Sequence, residues 1–345
     1  MLERHSGAPS PSSRRQGQRQ LLSSQFRSLL GRKETPTPEE LDHALVSDLK
    51  TWKLNPRVGT LALGTLSKRG SPHLVLSLLR SMRERRVETN VFHCAVALSA
   101  CEKGCQWELA LSVLEGMPRQ QIALDVVSFN AAISACEKGG QWQSALALLA
   151  GMATCRLAPN VVTCSAAISA CEKGARWPLA LALLSSMPRR QIKPNLITCN
   201  AAISACEKGG RWQEALALLG LLGRWRLAPD VISCNAVVSA CAKGGQWQLA
   251  VALLCSLPRL RLAPTVVSCG ASISACEKAG RWQAALELFG SLISLRLAPN
   301  IVVCSAAVSA CEKAGEWQRA LALFAAIPGL RIEPNVVSCS ALVSA

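Results

Sequence analysis

Residues 126–160 read VVSFNAAISACEKGGQWQSALALLAGMATCRLAPN, and nearly the same string begins again at residues 161, 196, 231, 266 and 301. A looser copy begins at residue 91 and a degenerate one at residue 56. Two series keep a 35-residue spacing: Cys101, Cys136, Cys171, Cys206, Cys241, Cys276 and Cys311, and Trp107, Trp142, Trp177, Trp212, Trp247, Trp282 and Trp317. A fixed period of this length predicts a solenoid, in which each repeat buries its apolar face against its neighbours. We number the positions of each repeat from 1 to 35, with Val126 at position 1.

The order of residues within a repeat predicts two helices. Asn or Asp at position 35, after Pro at position 34, caps a helix A over about positions 1–13, because proline disfavours helix just before itself. Glycine at position 14 or 15, as in Gly139 and Gly140, suits the end of that helix. Helix B begins near position 16 with a single apolar stripe: Trp142, Ala145, Leu146, Leu149 and Met152. Proline at position 28 is expected to stop helix B in four repeats: Pro118, Pro188, Pro258 and Pro328.

Together these units predict an all-α solenoid of stacked helical hairpins. Eight repeats fill residues 56–335, and residues 336–345 begin a ninth helix A. Solenoid ends normally carry a polar capping repeat, and this end has none, so we expect the chain to be a fragment of a longer protein. No run of 18 apolar residues occurs, so neither a membrane span nor a membrane partner is expected.

Charge and cysteine content narrow the partner and the compartment. The formal net charge is +16, and most of the basic surplus lies in the repeats, which suggests a polyanionic partner. The chain has 17 cysteines, most of them at positions 4 and 11, on one face of helix A. We interpret them as small core residues rather than metal ligands or disulfides, because no C-x-x-C occurs and only four histidines exist. So many free thiols imply a reducing compartment.

The N-terminal segment differs from the repeats. Residues 1–33 are rich in Arg and Ser and hold one acidic residue, Glu3. The stretch RQLLSSQFRSLL places Leu22, Phe26, Leu29 and Leu30 near one helical face. Such a segment resembles an organelle transit peptide; the alternative is a disordered basic tail. Residues 34–55 are expected to form a linker and a polar helix around residues 41–52.

Two positions vary among repeats whose other residues barely change. Position 5 holds Thr60, Ala95, Asn130, Ser165, Asn200, Asn235, Gly270 and Ser305. Position 35 holds Asn90, Asp125, Asn160, Asn195, Asp230, Thr265, Asn300 and Asn335. A constant scaffold with a changing pair of small polar residues is what a reader of one base per repeat requires. Capping explains the Asn and Asp at position 35 equally well, but it does not explain the variation at position 5.

A lysine recurs at position 13 of every repeat: Lys68, Lys103, Lys138, Lys173, Lys208, Lys243, Lys278 and Lys313. Stacking would place these lysines in one row, which suits a phosphate backbone passing at one nucleotide per repeat, although a solvated face is the usual role of lysine. The neighbouring glutamates at position 12 point about 100° round the helix, so we expect them not to cancel the row. Engagement of most lysines predicts a log–log salt slope of about −4 to −6.

The pattern V-V-T/S-C/F-N/S-A-x-I-S-A-C-E-K-G, continuing to A-L-x-L-L-x-x-M and closing on P-N or P-D, resembles the pentatricopeptide repeat family over residues 56–335. The resemblance implies a right-handed superhelix that binds single-stranded RNA and acts on organelle transcripts, in a mitochondrion or a chloroplast. All repeats are 35 residues long, which resembles the P class of the family. The tetratricopeptide repeat, which binds peptides, differs in period and in Trp, Gly and Tyr placement.

The resemblance also assigns roles to residues. Base faces would be sandwiched by the side chains at position 2: Phe92, Val127, Val162, Ile197, Ile232, Val267 and Val302. Arg57 departs from that pattern. The family's pairing rules imply A for Thr60 with Asn90, C for Asn130 with Asn160, A for Ser165 with Asn195, U for Asn200 with Asp230, a pyrimidine for Asn235 with Thr265 and A for Ser305 with Asn335. Ala95 with Asp125 and Gly270 with Asn300 leave their bases open, so the site reads A-N-C-A-U-Y-N-A.

Other functions find less support in the residues. The recurring tryptophans share the apolar stripe of helix B, so we interpret them as packing residues and not as base-stacking platforms. We find no H-x-E, P-loop or G-x-S-x-G motif, so neither catalysis nor a cofactor is expected. A helical-repeat scaffold for protein partners is the main alternative, and a catalytic domain beyond Ala345 is another. The basic row and the variable polar pair favour RNA.

Overall fold

The computed structural model describes residues 23–31, 37–52, 56–326 and 344, and every regular element within these ranges is a helix. Two helices precede the repeats, α1 (Ser24–Gly31) and α2 (Pro38–Trp52). The helices of the repeats alternate between A and B: α3 (Pro56–Lys68), α4 (Pro72–Glu84), α5 (Val91–Lys103), α6 (Trp107–Arg119), α7 (Val126–Lys138), α8 (Trp142–Thr154), α9 (Val161–Lys173), α10 (Trp177–Arg189), α11 (Leu196–Lys208), α12 (Trp212–Arg224), α13 (Val231–Lys243), α14 (Trp247–Ser256), α15 (Val266–Lys278), α16 (Trp282–Ser294), α17 (Ile301–Lys313) and α18 (Trp317–Ala326). A short 3₁₀ helix, Leu257–Leu260, follows α14.

The chain divides into two compact units, residues 1–170 and 171–345. In the first unit, helix A of each repeat packs on helix A of the next, α3 on α5 and α5 on α7, and also on its own helix B. In the second unit α11, α13, α15 and α17 pack in the same succession. The predicted all-α solenoid of stacked helical hairpins is therefore confirmed. None of the described helices combines the length and apolar character that a membrane span needs.

Two helices in the segment before the repeats pack on each other. Phe26 of α1 and Trp52 of α2 are fully buried, and their rings meet edge to face with centroids 6.5 Å apart. Helix α2 in turn packs on α3 and α4. Within residues 1–33, Ser24–Gly31 is therefore a helix with a buried aromatic side chain. Residues 1–22, 32–36, 53–55, 327–343 and 345 lie outside the described part, with Leu22, Pro328 and Asn335 among them.

The cysteines of positions 4 and 11 form the centre of the stack. Every described cysteine at these positions is buried, and each is a free thiol. Burial raises the pKa of Cys101, Cys136, Cys171 and Cys206 to about 11, because the charged thiolate is poorly solvated there. No group of three or more His, Cys, Asp or Glu suited to a metal occurs among the described residues. These thiols fill the core, as predicted.

Helices A and B end by the same device. The residue at position 15 is left-handed, as at Gly140 with a φ of 70°, and the next amide donates back to the carbonyl of position 11, as from Gln141 to Cys136 at 2.9 Å. At the end of helix B, position 31 is left-handed and the amide of Ile122 donates to Met117 at 3.0 Å. The predicted proline stop is wrong for Pro118 and Pro188, because α6 and α10 each continue one residue beyond the proline.

Glycine at position 14 has a different role from the cap expected of it. Gly139 has a φ of −79°, which any residue can adopt. A Cβ at Gly139 would lie 2.6 Å from Cδ1 of Trp107 in the preceding repeat. The same contact is made by Gly209 with Trp177 and by Gly244 with Trp212. The tryptophans therefore pack between successive repeats, as predicted, and at Gly139, Gly209 and Gly244 the indole occupies the space of a side chain.

Candidate nucleic-acid interface

The first turn of helix A presents one bare apolar side chain per repeat. Position 2 is 53–71% exposed in all seven described cases: Phe92, Val127, Val162, Ile197, Ile232, Val267 and Val302. Positions 3 and 4 beside it are buried. Large apolar side chains on a surface, repeated in register, mark a binding surface rather than a core.

Position 35 caps helix A in every described repeat. The side-chain oxygens of Asn90, Asp125, Asn160, Asn195, Asp230, Thr265 and Asn300 each accept from the amide of position 3 in the next repeat, at 2.8–3.2 Å. Such caps stabilise a helix by about 1 kcal/mol each. The capping interpretation of position 35 is therefore correct, and any contact with a base must coexist with it.

Three repeats also pair position 5 with position 35. The amide nitrogen of Asn200 donates to both carboxylate oxygens of Asp230, at 3.1 Å each. Asn235 donates to Thr265 at 3.2 Å, and Asn130 lies 3.5 Å from Asn160. The two variable positions of a repeat thus meet in space, as a paired readout of one base requires.

These pairs leave different atoms free. The side-chain oxygens of Asn200 and Asn235 are buried and accept no hydrogen bond from any described residue. In Asn130 the corresponding oxygen accepts from the hydroxyl of Thr163 at 2.6 Å. A buried acceptor without a donor is uncommon in folded proteins. Asn200 and Asn235 therefore each keep an acceptor oxygen that no described residue uses.

Three other position-5 residues, Ala95, Gly270 and Ser305, offer less to a base. Ala95 has no polar side-chain atom and Gly270 has no side chain. A Cβ at Gly270 would lie 2.9 Å from Cγ2 of Val303, so the space is already filled. Ser305 is 6% exposed, and its partner Asn335 lies outside the described residues.

The lysine row is only partly free, which corrects one expectation. All eight lysines at position 13 are exposed. Four of them, however, pair with the position-12 glutamate of the preceding repeat: Lys138 with Glu102 at 2.9 Å, Lys208 with Glu172 at 2.5 Å, Lys243 with Glu207 at 2.9 Å and Lys313 with Glu277 at 2.8 Å. The predicted 100° separation holds within one helix, but stacking brings the glutamate of one repeat to the lysine of the next. Sequence spacing alone does not show this, because the pair is 36 residues apart.

Three lysines of the row have no ion pair with described residues, namely Lys68, Lys103 and Lys278. Position 12 of the preceding repeat explains two of them, because Ser67 and Ala242 stand where other repeats have Glu. Lys68 lies in the first repeat. In the second unit, Lys278 is therefore a lysine of the row that pairs with none of the described carboxylates.

Repeat 1 brings the predicted groups together in one cleft. A cleft of about 690 Å³ is lined by Thr60, Leu61, Gly64, Thr65, Lys68, Asn90 and Phe92. This lining includes both predicted base-reading residues of the repeat, the exposed aromatic ring and the unpaired lysine. The glycine at position 9 opens the cleft, and sequence reasoning did not single out Gly64 because a Ser-to-Gly change within one repeat carries no motif.

Electrostatics at Asp230 fit its double role. Burial opposes ionisation of this carboxyl, but hydrogen bonds from Ser233 and Asn200 outweigh that effect and hold its pKa below the usual 3.8. The carboxylate is thus charged at neutral pH. It accepts from Asn200 and directs the free oxygen of that amide away from itself.

Sequence models of one family match this chain along most of its repeats. The model described as "Pentatricopeptide repeat domain" matches residues 77–136, 112–174 and 182–244, and the one described as "PPR repeat" matches residues 232–262 and 267–297. Comparison with curated proteins gives no match.

Solved structures share the fold. One is the crystal structure of the pentatricopeptide repeat protein PPR10 in complex with an 18-nt psaJ RNA element, with a TM-score of 0.72 and 17% identity over 92% of this chain and 47% of that chain. Another is PPR10 from maize, with a TM-score of 0.66 and 21% identity over 98% of this chain and 49% of that chain. The chain therefore spans about half the length of these structures, and the likeness concerns the fold.

Proposed function

Because the chain belongs to the pentatricopeptide repeat family, we propose that it binds single-stranded RNA and reads one base with each repeat. Positions 5 and 35 contact the base edge, position 2 covers the base face, and the unpaired lysines of position 13 contact phosphate. PPR10, whose fold this chain shares, has been crystallised with RNA, which supports the same class of ligand here.

The cleft of repeat 1 is the observation that carries the proposal. A nucleotide needs an apolar surface for its base, polar atoms at the base edge and a cation at its phosphate. Phe92, 71% exposed, supplies the first. Thr60 and Asn90 supply the second, and Lys68 supplies the third, all around one volume of about 690 Å³.

The unpartnered oxygens of Asn200 and Asn235 support base reading in the second unit. An amide oxygen accepts from the imino N–H of uracil or from an exocyclic amine. An acceptor that is already desolvated in the free chain loses no further water to the base, so a base that donates to it gains a hydrogen bond that a base without a donor cannot make.

The biological setting that we propose rests on the family resemblance and on the N-terminal segment. We propose that the RNA is an organelle transcript, in a mitochondrion or a chloroplast, and that occupancy stabilises the transcript or aids its processing or translation. The Arg- and Ser-rich residues 1–33 support import into an organelle. The reaction chemistry, if any, would come from other factors, because binding alone accounts for these residues.

Fluorescence anisotropy with short labelled RNAs tests the proposal. An RNA with the sequence A-N-C-A-U-Y-N-A should bind at least about tenfold more tightly than a scrambled RNA, a difference of about 1.4 kcal/mol. If adding the protein leaves the anisotropy of every single-stranded RNA unchanged, RNA binding is refuted. Equal binding of matched and scrambled RNAs would refute base reading alone.

A further inference from the structure

Along the repeats, the polarity of position 5 varies together with the ion pairing of the lysine at position 13. Where position 5 has no polar side-chain group, in Ala95 of repeat 2 and Gly270 of repeat 7, the lysine of that repeat has no carboxylate partner among the described residues. Where position 5 is Asn130, Asn200 or Asn235, the lysine of the same repeat is ion-paired. Ser305 and Lys313 of repeat 8 follow the same rule.

In repeats 3, 5, 6 and 8, where position 5 is polar, the lysine pairs with a glutamate, so that the two side chains together carry no net charge. In repeat 6, Nζ of Lys243 lies 2.9 Å from a carboxylate oxygen of Glu207, and Asn235 of that repeat has a free acceptor. A phosphate approaching Lys243 also approaches Glu207, so attraction and repulsion largely offset each other. A cation that is already paired contributes little to counterion release. Repeat 6 can therefore discriminate a base while contributing little to general affinity.

Repeat 7 has an exposed lysine, Lys278, but no polar side chain at position 5. Ala242 of the preceding repeat is 5% exposed and carries no charge to meet Lys278. Its nearest acidic neighbour in sequence, Glu277, is engaged with Lys313 at 2.8 Å. The position of a base-reading side chain is filled by Val303, 2.9 Å from where a Cβ of Gly270 would lie. This repeat can hold a phosphate but has nothing at position 5 with which to read a base.

We propose that repeats 2 and 7 are anchoring repeats, which grip the RNA backbone without reading a base, and that the paired lysines belong to reading repeats, which contribute selectivity more than affinity. The proposal rests on the proposed RNA function and deepens it. It assigns Lys103 and Lys278 as the dominant phosphate contacts of their segments, and it assigns position 12 of the preceding repeat as the residue that decides this. Repeat 1, which no repeat precedes, is outside the rule.

Two matched pairs of variants test the assignment. Lys278→Ala is compared with Lys243→Ala, since both lysines are exposed and lie in adjacent repeats. Ala242→Glu is compared with Ala242→Gln, which adds nearly the same bulk without charge. Glutamate occupies position 12 in six other repeats, so Ala242→Glu uses a side chain that this site accepts elsewhere. Circular dichroism confirms folding of each variant before RNA binding is measured.

We expect Lys278→Ala to weaken binding of A-N-C-A-U-Y-N-A RNA about tenfold and to reduce the log–log salt slope by about 0.7, one phosphate's worth. Lys243→Ala should weaken binding less than about threefold. Ala242→Glu should reproduce most of the loss of Lys278→Ala, whereas Ala242→Gln should not. Changing the seventh base of the RNA should leave affinity unchanged, whereas changing the fifth should not.

The possible outcomes distinguish RNA binding from the division into anchoring and reading repeats. If the unaltered chain binds no RNA, both the function and the assignment fail. If it binds RNA but Lys278→Ala and Lys243→Ala weaken binding equally, or if Ala242→Glu behaves like Ala242→Gln, the division into anchoring and reading repeats is wrong while RNA binding stands. Selectivity at the seventh base would also overturn the assignment of repeat 7.

Discussion

Asn200 donates its amide hydrogens to both carboxylate oxygens of Asp230, across 30 residues of sequence and at 3.1 Å each. The same carboxylate accepts from the backbone amide of Ser233 at 2.8 Å and so begins the next helix A. One side chain thus fixes both the start of a helix and the orientation of a base-reading amide. Base reading and helix capping thus both depend on Asp230. Variants of Asn200 and of Asp230 test the two roles separately.

Replacing Asn200 should change which base its repeat prefers. Asn200→Ser removes the free acceptor oxygen and leaves a short hydroxyl beside Asp230, a pair that in the resembling family favours G over U. We expect the preference at the fifth base to move from U toward G by about tenfold, or about 1.4 kcal/mol. Anisotropy with RNAs that differ only at that base measures it. The control is the fourth base, whose preference should not change; an unaltered fifth-base preference would remove Asn200 from the readout.

Acid should weaken the fold partly through Asp230. Its pKa is lower in the folded chain than in the unfolded chain, so its stabilising contribution is complete above the usual pKa of about 3.9 and is lost as pH falls through the lower folded value. Asp230→Asn keeps a capping oxygen but cannot titrate. We therefore expect the free energy of unfolding of Asp230→Asn to fall less steeply below pH 4 than that of the unaltered chain.

Urea unfolding at a series of pH values measures that difference. Glu287→Gln, which removes an exposed carboxylate outside the capping network, is the control and should leave the steepness as it was. If Asp230→Asn and the unaltered chain lose stability in parallel below pH 4, the hydrogen bonds of Asp230 do not hold its pKa down.

Much of this arrangement could be predicted from the sequence, because a repeat multiplies weak signals. The bounds of helix A, the capping role of position 35 and the burial of the cysteines each follow from one local rule seen seven or eight times. The ends of helix B were harder to predict. Pro118 suggests a stop, yet α6 continues through it because the left-handed residue at position 31, Gln121, ends the helix instead.

The pairing of Glu207 with Lys243 could not be predicted, for a physical reason. Spacing along one helix gives the direction of a side chain but not the offset between stacked helices. The offset here brings position 12 to position 13 of the next repeat. The gap at Ala242 is visible in the sequence, but it acquires meaning only when the stacking shows which lysine it leaves unpaired.

Tryptophan packing should make position 14 intolerant of a side chain in repeat 3. Gly139→Ala would place a Cβ 2.6 Å from the ring of Trp107, so the repeats must shift, and we expect a loss of about 1–3 kcal/mol in the free energy of unfolding. Gly151→Ala is the matched control, since its Cβ would meet nothing within 4 Å and the helix should gain about 0.5–1 kcal/mol. Chemical denaturation compares the two. A higher free energy of unfolding in both variants would show that the Trp107 indole leaves room for a Cβ at residue 139.

The salt dependence of RNA binding should show whether the glutamate partners prevent the paired lysines from releasing counterions. If only the three unpaired lysines release counterions, the log–log slope is about −2, against about −6 for a row of eight free lysines. Replacing Glu172 and Glu207 by Gln frees Lys208 and Lys243, so the slope should steepen by about 1.4. Titration between low and moderate salt measures it, and the double variant Glu115→Gln with Glu287→Gln, which removes two exposed carboxylates away from the row, is the charge-matched control. A slope already near −6 in the unaltered chain would contradict the screening of the paired lysines.

A row of strained arginines offers the last test. Position 31 is left-handed in every described copy, and it is Arg in five of them, as in Arg226 with a φ of 56°. This conformation costs a residue with a Cβ about 1–2 kcal/mol, whereas glycine adopts it freely. Replacing Arg226 by glycine removes this cost, but the greater freedom of glycine in the unfolded chain offsets part of the benefit. Arg226→Gly should therefore stabilise the fold by about 0.5–1 kcal/mol. Arg226→Ala keeps the strain and should give no gain. Thermal unfolding compares the two variants. If Arg226→Gly is less stable than Arg226→Ala, the left-handed residue before Leu227 carries no strain that glycine can relieve.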